Sequence, residues 1–265
     1  MIQAAYITHW GTVVPWAGPD QVEHDLALSR ALVEIFSEPT LARSLAFRGG
    51  TAIHKLVLSA PQRFSEDLDL VQVESGPIGE LMRTIRRRLD PVLGRSSFEK
   101  SPISHTVTYR VESEIPPTRR LTVKIEINTR EHFSVLGWRQ RSFSVESPWF
   151  AGRAEVQTYE TDELYGTKMR ALYQRRKGRD LYDLALGLQE GLLDPGAVIR
   201  CFLHYMEQEG HAVTRQEFEK NLRAKAGRPD FRGDIRPLLA PGGRYDPDEA
   251  LERVIENLIA GLPGA

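Results

Sequence analysis

Few folds can accept Asp67-Leu68-Asp69-Leu70. Acids and leucines alternate with period two, so on a strand both carboxylates point to one face and both leucines to the other. Two rises of about 3.3 Å each then set the acids roughly 7 Å apart. Upstream, Gly49-Gly50-Thr51 follows Phe47-Arg48 and opens a new element. Glycine pairs let backbone N–H groups approach a phosphate closely, because no Cβ stands in the way. Together, a glycine turn and a strand with paired carboxylates are what in-line phosphoryl or nucleotidyl transfer with two divalent cations requires.

Composition narrows the class. The chain has 265 residues, 41% hydrophobic and 27% charged, an ordinary balance for a globular protein with a sizeable core. A formal net charge of −1 argues against a chain that simply coats nucleic acid, while allowing a local basic face. No apolar run approaches the roughly 18 residues of a membrane span, so no membrane partner is expected. Met1 to Pro19 has neither a cationic n-region nor an apolar h-region, so no secretory signal is expected. Cys201, beside Phe202 and Leu203, is the single cysteine, which rules out an internal disulfide and reads as a buried small hydrophobe. All of this fits a cytoplasmic protein.

Along the chain, residues 1–19 read as an irregular arm that packs through Trp10 and Trp16. Val22, Leu26, Leu32, Val33 and Phe36 recur at helical spacing after Asp20, and Pro39 ends that helix. Expected next are a strand over Ser44–Arg48, a helix over Thr51–Ser59 and a strand over Asp67–Val73. A helix over Pro77–Leu93 follows, carrying Arg83, Arg86, Arg87 and Arg88 as an exposed face. Strands are expected over Ile103–Val111 and Leu121–Asn128, with Phe143–Val145 adding a short one. The Leu121–Asn128 segment alternates fully, with Leu121, Val123, Ile125 and Ile127 on one side. From about Thr161 the pattern is helical. Asp162 and Glu163 suit a helix start, and Asp246-Pro247-Asp248-Glu249 repeats that signal.

Other residues join the carboxylate pair. Glu126 projects from the apolar strand to its polar side, where a third acid can complete a metal site or pair with Lys124. Lys168 lies between Leu164 and Leu172 at i−4 and i+4, half buried and aimed at a target such as a triphosphate. Around it stand Arg170, Arg175, Arg176, Lys177 and Arg179, a basic cluster suited to a polyanionic acceptor. Asp180 and Asp183 follow at i, i+3 on the next helix, either forming local ion pairs in a charged helix–turn–helix or with one of them placed to orient groups or accept a proton. Ser65 stands two residues before Asp67 and can touch a phosphate. His54 and Lys55 read as solvent-facing residues just after the turn.

Four segments then combine: Phe47-Arg-Gly-Gly-Thr-Ala-Ile-His-Lys55, Arg63-Phe-Ser-Glu-Asp-Leu-Asp-Leu70, Val123-Lys-Ile-Glu-Ile-Asn128, and Leu164 to Leu172 with Lys177-Gly-Arg-Asp-Leu-Tyr-Asp183. Over about residues 20–190 the chain resembles the AbiEii/MenT nucleotidyltransferase toxins. That resemblance implies an α+β, DNA-polymerase-β-like nucleotidyltransferase fold, a small mixed sheet with flanking helices followed by a helical domain. It implies nucleotide binding by Gly49, Gly50 and Thr51, Mg²⁺ binding (Mn²⁺ as the alternative) by Asp67 and Asp69, and phosphate contact by Lys168. Asp180 or Asp183 takes the last catalytic role, with the choice open, and Glu126 matches the third acid. It further implies transfer of nucleotides from an NTP to the 3′ acceptor end of tRNA, stopping translation. A separately encoded antitoxin completes a type IV pair acting in phage defence or plasmid maintenance.

The expectation is therefore a nucleotidyltransferase domain over 1–155, with its N-terminal arm and helix, and a helical domain over 156–265 that contributes Lys168 and Asp180 or Asp183. The alternatives are transfer to a protein or small-molecule acceptor, and a non-catalytic module that binds nucleotide or tRNA. The complete set of Asp67, Asp69, Glu126 and Lys168 speaks against the last, since carboxylates at a phosphate site repel the ligand of a pure binder.

Overall fold

Alternation decides the sheet. In the computed structural model, which describes residues 2–264, strand β5 (Arg120–Asn128) buries Leu121, Val123, Ile125 and Ile127 and leaves Thr122, Lys124, Glu126 and Asn128 on the open side. Each of those apolar side chains contributes on the order of 1.5–3 kcal/mol by leaving water. Around it form β1 (Leu45–Arg48), β2 (Asp67–Gln72), β3 (Ser96–Lys100), β4 (Ser104–Glu112), β6 (Trp138–Ser147) and β7 (Phe150–Tyr159). They make one mixed sheet in the order β3-β4-β5-β2-β1-β7-β6. β2 runs parallel to β5 and antiparallel to β1, while β1 runs parallel to β7. Helix α1 (Ala4–Trp10) packs on α2 (Pro19–Phe36), and α2 crosses β7, β5 and β2. α3 (Pro39–Ser44) and α5 (Gly79–Leu93) cover β1, β7, β4 and β3. α4 (Gly49–Ala52) continues as a π-helical turn over Ile53–Val57, closed by Leu58 N–H donating to Ile53 O at 3.1 Å.

These elements form one compact unit, the chain up to Phe133 together with Trp138–Tyr159. A second unit holds Ser134–Gly137 and the described residues from Glu160 onward. It is helical: α6 (Thr161–Gln174), α7 (Gly178–Gln189), α8 (Pro195–Gln208), α9 (Arg215–Ala226), α10 (Pro229–Gly233) and α11 (Pro247–Asn257). Its core joins Tyr173, Phe202 and Phe218, whose rings lie 5.1 to 6.4 Å apart. Gly166 lets α6 meet α8 closely, since a Cβ there would stand 2.6 Å from Cys201 Cβ. Cys201 is fully buried, as its neighbours imply. Ser134–Gly137 joins this unit through Glu163. Its buried carboxylate accepts from Ser134 Oγ at 2.6 Å and from Val135 N, Leu136 N and Tyr205 OH at 2.8 Å each. Four donors offset the cost of burying that charge.

Several sequence expectations need correction. The N-terminal segment is not wholly irregular, because Ala4–Trp10 is helical and Trp10 is buried with its Nε1 donating to Asp25 Oδ2 at 3.0 Å; residues 1 and 265, at the ends of the expected domains, lie outside the described residues. Phe143–Val145 is the middle of a ten-residue strand, and its partner β7 and the edge strand β3 carry no expectation at all. Those strands are polar on at least one face, so hydrophobic periodicity does not betray them. No helix among the described residues is long and apolar enough to cross a membrane.

Candidate active site

The polar face of the sheet is built by register. Asp67 and Asp69 are half buried on β2, between Leu68 and Leu70, which are fully buried on the opposite face. Asp67 is paired with Lys124 on β5, and Asp69 with Glu126. On the other side Asp69 is paired with Arg48 of β1. Directly paired positions share a face, so Arg48, Asp69 and Glu126 form one row of charged side chains.

The glycine turn packs onto that row. Gly49 has φ +79°, a conformation that glycine adopts without strain. A Cβ built there would overlap Asp69 Oδ2. The missing side chain is therefore the space that the carboxylate occupies. Thr51 fixes the turn to the start of β2: its Oγ1 donates to the Asp67 carbonyl at 2.6 Å and lies 2.6 Å from Ser65 Oγ. A hydroxyl has one proton to give, so Ser65 is the donor of the second bond.

Glu126 is both in register with Asp69 and ion-paired with Lys124 Nζ at 2.5 Å. Burial pushes the Glu126 carboxyl up, and Lys124 outweighs it, leaving the group below its ordinary value. Lys124 is raised, with burial opposing and Glu126 prevailing. Among the described residues, no three His, Cys, Asp or Glu side chains stand close enough to hold an ion as they are placed. In kind the donors fit a hard divalent cation: all are carboxylate oxygens, two share one strand face, and Gly49 leaves Asp69 room.

In the helical unit, Lys168 is buried, and its Nζ lies 2.8 Å from Asp180 Oδ1 and 3.0 Å from Asp183 Oδ2. Arg175 donates to both oxygens of Asp180, Nε at 2.7 Å and Nη2 at 2.8 Å. Both aspartates are fully buried, and Asp180 is held below the usual carboxylate range: burial raises it, and Lys168 and Arg175 more than compensate. Lys168 is thus not half buried but enclosed, with two carboxylates as partners. Spacing could place these residues on neighbouring helices and allow ion pairs between them; it could not reveal that the pairs are buried.

The basic cluster also divides. Arg170 points inward, 2.9 Å from Glu209 and 4.7 Å over the Tyr205 ring. Lys177 pairs with Asp234 at 3.4 Å, and the Arg179 backbone N–H donates to the same carboxylate at 3.2 Å. Arg176 is exposed. His54 and Lys55 are not solvent-facing. His54 is buried, its Nδ1 accepting from Gln62 N at 3.3 Å, and Lys55 Nζ lies 2.9 Å from Asp25 Oδ1 and from Ser29 Oγ. The partners of Lys55 come from α2, about thirty residues away, beyond the reach of local pattern. Sequence reasoning gave no role to Arg48 of this row, nor to Glu131 on the turn after β5, which is ion-paired with it. Arg48 stands inside the glycine motif, which was the available signal.

Residues 30–256 match the family described as "Nucleotidyl transferase AbiEii toxin, Type IV TA system". Among solved structures, MenT4, a nucleotidyltransferase toxin from Mycobacterium tuberculosis, is similar with a TM-score of 0.67 and 16% identity, covering 99% of this chain and 91% of that one. JHP933 from Helicobacter pylori is similar with a TM-score of 0.53 and 19% identity, covering 91% and 92%. At such identities the likeness concerns the fold. Comparison with curated protein sequences gives no match.

Proposed function

The chain belongs to the AbiEii family of nucleotidyltransferase toxins of type IV toxin–antitoxin systems, and from there we propose that it transfers nucleotides from an NTP to the 3′ acceptor end of tRNA, blocking translation. NTP-dependent nucleotidyl transfer and a cognate antitoxin come with the family; the tRNA acceptor, the metal and the residue roles are this proposal. One observation carries it: Asp67 and Asp69 share the polar face of β2, and Asp69 Oδ2 fills the space left by the side chain that Gly49 lacks.

In this reading Gly49 and Gly50 receive the triphosphate through backbone N–H groups, and Thr51, bonded to Ser65 and to the Asp67 carbonyl, keeps that turn against β2. Asp67 and Asp69 would hold Mg²⁺ or Mn²⁺, with Glu126 in register beside Asp69. A cation bound there neutralises the triphosphate and makes the acceptor hydroxyl easier to deprotonate. The protein's own contribution is orientation, since rigid strands fix the two carboxylates relative to the turn. We assign Lys168, Asp180 and Asp183 first to the architecture of the helical unit, because each charge there already has a buried partner.

The inward turn of Arg170 and the pairing of Arg175 and Lys177 leave fewer cations for a polyanion than the sequence suggested. That observation favours the second reading, a protein or small-molecule acceptor. Incubation with labelled NTPs, Mg²⁺ and total tRNA, followed by sequencing of RNA 3′ ends, separates the two. Added 3′ nucleotides support the proposal, and label entering only protein or small molecules refutes the tRNA acceptor. Transfer to tRNA should also weaken steeply as salt rises, because phosphate contacts release counterions.

A further inference from the structure

We propose that Arg48 is a ligand for the nucleotide's phosphates, and that Glu131 is the anion that occupies it while no nucleotide is bound. This rests on the reading above that the nucleotide lies against Gly49 and Asp69.

Arg48 is the last residue of β1 and immediately precedes Gly49. Register sets it beside Asp69, and Asp69 beside Glu126. The row therefore reads cation, carboxylate, carboxylate, with the cation nearest the turn. The charge of Arg48 acts on both acids. Burial works against the guanidinium, but Glu131, Tyr159 and Asp69 together raise it above its ordinary value, and Arg48 in turn helps to hold Glu126 down.

The partner of Arg48 is supplied by a small built turn. Asn128, on the open side of β5, accepts from the backbone N–H groups of Arg130 at 2.8 Å and Glu131 at 3.0 Å. Its Nδ2 donates to Glu131 Oε1 at 3.3 Å, leaving Oε2 directed at Arg48 Nη1. The chain is folded back on itself so that one carboxylate reaches one guanidinium. Both side chains keep 18% of their surface exposed, so the pair is open to exchange.

Chemistry favours exchange with phosphate. A guanidinium fork binds carboxylate and phosphate oxygens in the same geometry, so an oxyanion on a short turn is a fair stand-in for a phosphate. Lys124, the cation in register with Asp67, is committed to Glu126 at 2.5 Å. Arg48 is thus a cation beside the glycine turn whose partner lies outside the sheet, on the turn that follows β5.

The test is calorimetric binding of an α,β-methylene NTP analogue with Mg²⁺ and no acceptor. Arg48→Gln should weaken binding about ten- to a hundredfold, the range of a lost charge-assisted contact, and Arg48→Lys should recover part of it. Glu131→Gln should tighten binding severalfold, because the guanidinium then has no competing anion. A merely structural pair gives the opposite sign, with Glu131→Gln weakening binding as Arg48→Gln does. That result, or unchanged affinity in Arg48→Gln, overturns the inference. If Arg48→Gln fails to fold by tryptophan emission, the opposite responses of Arg48→Lys and Glu131→Gln still decide. Failure of the wild type to bind the analogue at all sinks the underlying reading instead. Wild-type binding that Asp69→Asn abolishes and the Arg48 variants leave untouched sinks this inference alone.

Discussion

Lys168→Met should unfold the helical unit more readily, whatever it does to activity. The lysine ammonium lies 2.8 and 3.0 Å from two carboxylates that have no exposed surface. Methionine replaces most of the aliphatic stem, so little packing is lost. The charge is what disappears. Asp180 keeps its two bonds from Arg175, while Asp183 loses an ammonium at 3.0 Å. Breaking a buried pair in this way costs about 3–5 kcal/mol, against a total stability of about 5–15 kcal/mol for a typical domain. The assay can address the units separately. Trp10, Trp16, Trp138 and Trp149 all belong to the α/β unit, so tryptophan emission follows that unit while far-UV circular dichroism includes the helices. In urea, the dichroism midpoint of Lys168→Met should fall well below that of the wild type, and adding Asp183→Asn should restore part of the loss. The effect should also depend on pH with a definite sign. Asp180 is depressed in the folded protein, so its contribution is complete above the unfolded value near 4 and is lost as pH falls through the lower folded value. The gap between wild type and variant should therefore narrow below about pH 4. A dichroism midpoint within about 0.5 kcal/mol of wild type at pH 7 would refute the reasoning and return Lys168 to a purely catalytic role.

Other outcomes follow from the same geometry. Gly49→Ala should abolish nucleotide incorporation with a stability loss of at least about 1 kcal/mol, since φ +79° strains any Cβ and that Cβ would displace Asp69; an active, stable variant in incorporation and urea assays would contradict this. Glu163→Gln should cost on the order of 2–4 kcal/mol in the helical unit, because an amide cannot accept all four bonds that the carboxylate takes; urea melts followed by dichroism check it. Lys225 donates to the Leu172 and Tyr173 carbonyls at 2.6 Å each, and burial lowers it to about 8, Asp180 opposing. A depressed lysine makes the folded state hold fewer protons than the unfolded one between about pH 8 and 10.5. Wild-type stability should then rise relative to Lys225→Met across that window; parallel curves in pH-dependent melts would refute it.

Much of the fold could be read where one face of an element is apolar and the other is not. β5 and β2 declare themselves by period two, and α2, α6 and α11 by helical spacing with a start signal. β7 does not, and β6 does so only at Phe143–Val145, because their alternating residues, such as Arg139, Ser142, Ser144, Arg153 and Glu155, give no continuous apolar stripe. The paired carboxylates and the glycine turn were legible as types at a spacing. Their partners were not: Lys55 finds Asp25 on the distant α2, and Lys168 finds Asp180 and Asp183 once α7 folds back on α6. Glu163 looked like a helix-start acid and also serves as the anchor of a separate loop. Charge pattern reports which residues want partners, and tertiary structure chooses them.

The most direct measurement is single-turnover incorporation of labelled nucleotide into tRNA by wild type and Asp69→Asn, both checked for folding by tryptophan emission. Cation-dependent incorporation by the wild type, falling at least about a thousandfold in Asp69→Asn, or roughly 4 kcal/mol of barrier, is the expected result. A folded Asp69→Asn protein that incorporates nucleotide at the wild-type rate would mean that the β2 carboxylates are not where the chemistry happens.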